Sequence, residues 1–282
     1  QAEDGIRDLV RSRGLGDVYK RQPLKNLESQ LEFLPPGSTV SVTASPTKTL
    51  EDTWELSRRL TEMGMTPVPH LAARMINGPE HLQSLIDQLP HLGTSELFLV
   101  GGDAPTPFGP FQDSIEVLER ILEMDHSITR IGVSSYPDGH AMISNKDLST
   151  ALHRKQQLLG ESNISGYAAT QMCFDPTAVS QWLSAERENG LTLPIHLGLP
   201  GAVDTAKLLK IGARLGVGTS LRFLKKNRGT VLKLLAPGGY NPRQLLDPLG
   251  PKLSGLGIED LHVFTFNQIE STIAWREKLL NP

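Results

Sequence analysis

The sequence has a single cysteine, Cys173, among its 282 residues. One thiol cannot form an intramolecular disulfide, and it leaves too few sulfur ligands for a cysteine-based zinc site. We therefore expect a fold without disulfides and without a metal. The scarcity of cysteine is typical of a reducing compartment, so we expect a cytoplasmic protein.

Long apolar runs and an excess of one charge are also missing. No stretch approaches the roughly 18 consecutive apolar residues that predict a membrane-spanning helix. The formal net charge is -3 at pH 7, and the basic residues form no stripe of the kind that follows a nucleic-acid backbone. We expect neither a membrane nor a nucleic acid as a partner. The sequence leaves the oligomeric state open and is compatible with a homo-oligomer.

Residues 1–22 differ from the remainder of the chain. They mix nine charges with three glycines and show no sustained strand or helix pattern. They resemble a translated sequencing adapter, so we expect a foreign leader followed by one domain over residues 23–282. A basic transit peptide is the alternative, and the four acidic residues of the segment disfavour it.

From residue 23 onward, short apolar segments alternate with longer segments of helical periodicity. Apolar runs bounded by polar or glycine-rich residues predict buried strands, and apolar residues at three- to four-residue spacing predict amphipathic helices. The predicted strands are residues 38–44, 66–72, 95–102, 130–137, 166–174, 193–199 and 261–266. The predicted helices are residues 50–63, 80–89, 114–124, 147–159 and 203–215, with extra helices around 219–226 and 241–256.

This alternation predicts an α/β fold whose parallel strands are joined by right-handed crossovers. A (β/α)8 barrel of the TIM type has eight strands, whereas the sequence contains seven candidates. The helical pattern of residues 24–31 indicates that a strand should precede the first of them. We expect this strand to be missing or replaced where residues 1–22 stand.

A polar residue accompanies the end of each predicted strand, and in a barrel such residues meet at one rim. Taken singly, each is more simply explained as a cap of the next helix or as a hydrogen-bonded core residue. Together they predict a polar site. These residues are Thr43, His70, Asp103, Tyr136 with His140, Gln171, His196 and Asn267.

Seven short motifs carry a resemblance to a known family. They are VSVT (40–43), PHL (69–71), GGDAP (101–105), YPDGH (136–140), TQMCFD (170–175), PIHLGLP (194–200) and HVFTFNQ (262–268). Their order resembles that of the methylenetetrahydrofolate reductase family. The resemblance implies a (β/α)8 barrel that holds FAD at the carboxyl ends of its strands. It also implies hydride transfer from NADH or NADPH through the flavin to 5,10-methylenetetrahydrofolate. The product, 5-methyltetrahydrofolate, belongs to one-carbon metabolism and methionine biosynthesis.

The resemblance also implies roles for individual residues. Asp103 is the implied catalytic residue, because its negative charge would favour the cationic iminium that accepts the hydride. Asp103, Gln171 and Gln268 would contact the folate substrate. Lys155 would meet the phosphates of the cofactor, although it is also explained as a solvated lysine on a helix. The implied cofactor-binding residues are Thr43, His70, Gly102, Asp103, Phe111, Gln112, Tyr136, His140 and Lys155.

The segment LEFLPP (31–36) resembles the family motif that carries a catalytic glutamate on the first strand. Spacing argues against Glu32 in that role. Thr43 follows Glu32 by only eleven residues, too few for the roughly 30 residues of a complete βαβ unit. We expect Glu32 to lie at the end of a helix, and the catalytic glutamate of the family to be absent from this chain.

Three positions depart from the family pattern. Gly101 stands where the family has an arginine, Phe264 replaces a tyrosine, and Gln268 replaces an arginine that helps to hold folate. Basic residues at Arg222, Lys225 and Lys226 could anchor the polyanionic folate tail or form an exposed basic face.

Two other functions remain open at the level of the sequence. One is a folate- or flavin-binding barrel without a redox step. The other is a flavin dehydrogenase of the proline dehydrogenase type, which shares the barrel architecture.

Overall fold

The computed structural model describes residues 29–45, 47–202 and 242–280. Its strands are β1 (Thr39–Val42), β2 (Thr66–Ala72), β3 (Glu96–Val100), β4 (Arg130–Ser135), β5 (Ser165–Thr170), β6 (Ile195–Pro200) and β7 (Ile258–Phe264). Its α-helices are α1 (Leu50–Glu62), α2 (Pro79–Asp87), α3 (Ser114–Leu122), α4 (Asn145–Gly160), α5 (Pro176–Glu188), α6 (Arg243–Leu249) and α7 (Ile269–Leu280). The seven predicted strands are confirmed, as are the predicted helices that fall within these ranges.

The seven strands form one parallel sheet in the order β1 to β7. The sheet is curled. In a flat sheet, strands about 4.8 Å apart would put β3 and β7 about 19 Å from each other. Instead, the ring of Phe98 on β3 lies 6.0 Å from that of His262 on β7. The described residues therefore form a TIM-like half-barrel, and an eighth strand is not among them.

Several predictions fall outside the described residues. These are the leader at 1–22, the helices at 203–215 and 219–226, and the basic residues Arg222, Lys225 and Lys226. The division of the chain into a leader and a domain over 23–282 stays a prediction. The predicted helix at 241–256 is α6 followed by a 3-10 turn over Gly250–Lys252.

The two faces of the sheet carry different residues because successive side chains of a strand point to opposite sides. Leu97 and Leu99 of β3 are fully buried in the main core, which includes residues of the surrounding helices. Phe98, between them, belongs to a separate interior cluster with Val68 and Tyr167. Apolar side chains thus fix the strands to the helices, and the concave face is left for aromatic and polar groups.

A polar layer crosses the interior at the amino ends of the strands. The guanidinium of Arg130 lies 4.5 Å above the ring of Tyr167 and 3.7 Å from the Glu96 carboxylate. It also lies 3.2 Å from Nε2 of His196, whose ring stacks on Tyr167 with centroids 3.9 Å apart. The prediction that His196 lies at the rim is therefore wrong, because this residue is at the beginning of β6.

Short polar side chains begin the helices directly after the strand loops. Thr49 and Asp52 form a reciprocal capping box at the start of α1. Asp113 accepts hydrogen bonds from the amides of Ile115 and Glu116 at the start of α3. Such caps satisfy amides that have no partner inside the helix, and they fix where each loop ends.

The described ranges lack two kinds of feature, a membrane-spanning helix and a metal-binding cluster. No helix there has the length and apolar character needed to cross a bilayer. No group of three or more histidine, cysteine, aspartate or glutamate side chains there is arranged to hold a metal ion.

The close approach of β5 and β6 gives a test of the sheet. A Cβ on Gly198 would overlap the main-chain carbonyl oxygen of Thr170, which cannot rotate away as a side chain can. We expect Gly198→Ala to lower the free energy of unfolding by about 1–3 kcal/mol or more, measured by urea denaturation. Gly160→Ala, at the end of α4 with open space around its Cβ, is the matched control and should be neutral or slightly stabilising. Equal losses in both variants would contradict this packing.

Candidate active site

One cavity of about 820 Å³ opens at the carboxyl ends of the strands. This is the end at which the loops of a barrel converge, and the volume is within the range of ligand pockets. Eight of the residues to which the family resemblance assigns a ligand contact line it. They are Thr43, His70, Gly102, Asp103, Tyr136, His140, Lys155 and Gln171.

Aromatic rings form the part of the cavity that lies over the barrel interior. His70 stacks on Phe98 at 4.6 Å between ring centroids. His262 meets Phe264 edge-on at 5.0 Å, and Phe264 lies 6.2 Å from Phe266. These rings, contributed by β2, β3 and β7 and by the loop after β7, offer flat apolar surfaces with polar nitrogen atoms among them. Such a wall suits a planar heteroaromatic ligand.

Tyr136 and His140 come from the loop that follows β4. Their rings meet edge-on at 5.3 Å, and the Tyr136 hydroxyl donates to the Ser134 hydroxyl at 3.3 Å. Burial raises the pKa of Tyr136, and the nearby negative charge of Asp103 raises it further. Tyr136 is therefore a neutral hydrogen-bonding group at ordinary pH, and Asp103 lies close enough to affect it.

Gln171 follows β5 and is anchored by its own main chain. Its amide N–H donates to the Ser135 carbonyl at 2.7 Å. Its side-chain carbonyl accepts from the Met172 amide at 2.9 Å. The side-chain NH2 group is then the part of Gln171 that is available to donate to a ligand.

Lys155 is a buried cation in the cavity wall. Its side chain belongs to α4, and the residue is only 6% exposed. Burial lowers its pKa to about 8, and the negative charge of Asp113 opposes that shift. In the described part of the chain, no ion pair involves Lys155. A lysine held in this way is suited to an anionic ligand, and it is not the solvated lysine of the alternative explanation.

The same end of the cavity holds a second cation and two carboxylates. Arg154 contributes to the lining and is paired with Glu119 at 2.7 Å. Asp113 caps α3, and Asp147 accepts from the Ser144 hydroxyl at 2.7 Å near the start of α4. The cavity therefore runs from an aromatic end, over the barrel interior, to a charged end between α3 and α4.

Three predicted site residues lie outside the cavity lining. Phe111 is buried in the main core. Gln112 is exposed, and its main-chain amide donates to the Glu116 carboxylate at 2.6 Å. Gln268 is half-buried, and its amide donates to the Thr265 carbonyl at 2.8 Å. Their roles toward ligands stay predictions that the geometry does not favour.

Glu32 is also outside the cavity. It follows the helical residues 29–31 and is exposed, and it precedes Thr39, the first residue of β1, by seven positions. The expectation that it lies at a helix end is confirmed. Asn267, another predicted rim residue, is buried but does not line the cavity.

Sequence reasoning missed several lining residues. Asp113 and Asp147 are at the starts of α3 and α4, where a capping residue is expected and a ligand contact is not. Arg154 is next to Lys155 and shares the signal that drew attention to that lysine. Phe266 has a φ of 49°, a left-handed conformation that is rare for an aromatic residue and that no sequence pattern here indicates.

The loop that carries Tyr136 also contains a carboxyl group with a perturbed pKa, that of Asp138. Burial raises the pKa of Asp138 to about 6, against a hydrogen bond from the Cys173 thiol that lowers it, and the charge of Asp175 raises it. Cys173 is fully buried and follows β5. These contacts connect the loop after β4 with the loop after β5.

Comparison with protein families bears on this arrangement. The family model for methylenetetrahydrofolate reductase matches residues 21–216, which is more than half of the chain. The chain belongs to the methylenetetrahydrofolate reductase family. All eight predicted residues that line the cavity fall within the matched range.

Two known proteins that are similar to the chain, one in sequence and one in fold, differ from it at most positions. It is 28% identical over 127 residues to methylenetetrahydrofolate reductase 2 of Saccharomyces cerevisiae, a match that covers 43% of this chain and 21% of the yeast protein. Its structure is similar to that of 2,3-dimethylmalate lyase, a member of the PEP mutase/isocitrate lyase superfamily. That similarity has a TM-score of 0.52 at 8% identity and covers 98% of this chain and 85% of the lyase. It shows the fold alone.

Proposed function

We propose that this chain is a flavin-dependent oxidoreductase of the methylenetetrahydrofolate reductase type. It would use NADH or NADPH to convert 5,10-methylenetetrahydrofolate to 5-methyltetrahydrofolate. One observation carries the proposal beyond family membership. Eight predicted residues, seven from five separate motifs together with Lys155, line a single cavity.

The chemistry of the cavity fits FAD as the cofactor. A flavin dinucleotide consists of a flat ring system linked to a diphosphate. The cavity likewise has an aromatic end and a charged end, and the charged end contains Arg154 and Lys155. Gly102 supports the same assignment. It has a φ of 91°, and a Cβ there would lie 3.1 Å from Cβ of Ala72, so the main chain itself forms that part of the wall. Bare backbone at such a position allows a ligand to approach closely.

When bound, the flavin supplies the transfer of hydride from the reduced nicotinamide to the folate. The protein supplies position and charge. Lys155 and Arg154 would hold the phosphates. Asp103 would place a negative charge beside the pterin, where positive charge develops, and Gln171 would donate through its amide to the pterin edge.

Two departures from the family pattern change the cavity wall: Phe264 lacks a hydroxyl, and Gly101 removes a cation that the resemblance places at the flavin site. Phe264 lines the cavity and gives a fully apolar edge where the family has a tyrosine hydroxyl. Gly101 also lines it, with open space where a Cβ would stand. We expect the pterin to be held by ring contacts and by Gln171 more than by cations at this end.

The spectrum of the purified protein tests the proposal. The protein should bind FAD, lose the yellow flavin absorbance under NADH or NADPH without oxygen, and regain it when methylenetetrahydrofolate is added. A protein that binds no flavin would overturn the proposal. Flavin that no reduced nicotinamide bleaches would favour the non-redox binding barrel. Bleaching by proline in place of a nicotinamide would favour the dehydrogenase alternative.

A further inference from the structure

The loop that follows β3, residues 101–113, carries Gly102, Asp103 and Asp113 to the cavity. Its sequence, GGDAPTPFGPFQD, contains three prolines and three glycines and forms no helix or strand. In this fully described segment, no backbone group of the loop bonds to the backbone of another loop residue. Within the loop, the side chain of Gln112 donates to the Pro110 carbonyl at 3.3 Å, so most of the bonds that hold its shape come from outside it.

Arg74 makes that connection. It belongs to a 3-10 turn, Ala73–Met75, directly after β2. Its guanidinium donates to three main-chain carbonyl oxygens of the loop: to Ala104 at 2.7 Å, to Pro105 at 2.8 Å and to Gln112 at 3.3 Å. One planar group thus joins the beginning of the loop to its end.

The main chain of Arg74 adds two more bonds. Its amide donates to the Gly101 carbonyl at 3.0 Å, and its carbonyl accepts from the Phe108 amide at 3.0 Å. The middle of the loop also lies close to the segment that contains Arg74, because a Cβ on Gly109 would overlap the backbone of Asn77. The loop therefore lies against the 73–77 segment along most of its length.

The charge of Arg74 is directed at the loop alone. Among the described residues, it forms no ion pair with a carboxylate, and it does not line the cavity. Its role therefore differs from that of the arginine that the family has at the position of Gly101. Three carbonyl dipoles stabilise a guanidinium well, because its donors have the fixed planar arrangement that a lysine lacks.

We propose that Arg74 is a positioning residue that sets the place of Asp103 and Gly102 by clamping the loop after β3. The Asp103 part of the inference rests on the proposed function, whereas the clamp itself does not. The carbonyl bonded most closely, that of Ala104, belongs to the residue next to Asp103. A shift of the loop would move the carboxylate directly.

Hydrogen exchange tests the clamp without any need for activity. In Arg74→Ala, the two loop amides that donate hydrogen bonds, those of Phe108 and Gln112, should exchange about tenfold faster than in the unchanged protein, because three charge-assisted hydrogen bonds that hold the loop in place are lost. The amides of β3 should keep their rates. Arg74→Lys should give partial protection, since one ammonium cannot reach all three carbonyls. Arg58→Ala, which removes an exposed arginine from α1, is the control and should change nothing in the loop. Unchanged exchange in Arg74→Ala would overturn the clamp.

Kinetics tests the connection to Asp103. We expect Arg74→Ala to slow reoxidation of the reduced flavin by methylenetetrahydrofolate by about tenfold or more, since small displacements of a catalytic group are costly. In the double variant with Asp103→Asn, the Arg74 substitution should add little, because both changes act through one carboxylate. Fully multiplicative losses would overturn the positioning role. If the unchanged protein does not react with the folate, the proposed function fails, and the exchange experiment still decides the clamp.

Discussion

Replacing Lys155 with methionine is expected to weaken FAD binding by about 10- to 100-fold while making the protein without ligand more stable. The first effect follows because a charge-assisted hydrogen bond to phosphate contributes about 1.5–3 kcal/mol. The second follows because Lys155 is 6% exposed and burial lowers its pKa to about 8 against the opposing effect of the Asp113 charge. Removing that buried charge should raise the free energy of unfolding at pH 7 on the order of 1–3 kcal/mol.

The pH dependence of stability has a definite sign. The folded-state pKa of about 8 lies below the ordinary value of 10.5, so between these values the unfolded chain binds the additional proton. Stability that depends on Lys155 therefore rises as the pH rises through this window. The advantage of Lys155→Met should be largest below pH 8 and should disappear near pH 10.5. Urea denaturation of both proteins at pH 7 and pH 10 measures this difference in the free energy of unfolding.

Two controls separate this site from general effects. Riboflavin has no phosphate, so its affinity should be the same in Lys155→Met and in the unchanged protein. Lys146→Met removes an exposed lysine from the same helix and should alter neither FAD affinity nor stability beyond a few tenths of a kcal/mol. Full FAD affinity in Lys155→Met would exclude the lysine from phosphate binding.

Replacing Asp103 with asparagine is expected to slow the folate half-reaction by about 10- to 100-fold. The carboxylate would no longer favour the cationic form of the folate that accepts the hydride. Reduction of the flavin by NADH or NADPH should change little, since no positive charge of that kind develops there. Rapid-mixing measurements of the two half-reactions on one preparation give the comparison. Equal slowing of both would argue against this role.

Glu32→Gln is the matched control, because it makes the same carboxylate-to-amide change in a residue that is exposed and outside the cavity. We expect it to leave both half-reactions as they are. Loss of the folate half-reaction in Glu32→Gln would instead mean that LEFLPP, despite its spacing, carries the proton donor.

The strands could be predicted from the sequence because burial on both faces leaves a simple signal. Residues 66–72 were predicted as a strand and form β2 with the same limits. The segment 166–174 was predicted too long, since β5 ends at Thr170. Apolar residues continue past that point because Met172 and Phe174 pack in the interior of the loop, so composition alone does not mark the end.

The position of Lys155 could have been read more firmly from its helix. Leu152 and Leu159 are both buried, and Lys155 follows the first by three positions and precedes the second by four. This spacing puts the lysine on the apolar side of α4. A cation within an apolar stripe is rarely solvated. The helical periodicity therefore predicts that Lys155 is buried, which the family motifs alone do not decide.

Loop residues could not be placed in the same way, because a loop has no periodicity. Phe111 and Gln112 were assigned from the loop of the family that they resemble, yet the neighbouring Asp113 is the residue that reaches the cavity. After β7, the positive φ angles of Phe266 and Asn267 reverse the chain. This brings Phe266 into the wall and takes Gln268 out of it.

The layer formed by Glu96, Arg130, Tyr167 and His196 ties four consecutive strands together at the end of the half-barrel opposite the cavity. One set of side chains thus aligns the strands at their amino ends, and a separate set at their carboxyl ends lines the cavity. Redesign of the upper loops for another flat, charged substrate can consequently keep the scaffold beneath them unchanged, with loops that contact each other, such as those after β2 and β3, altered together.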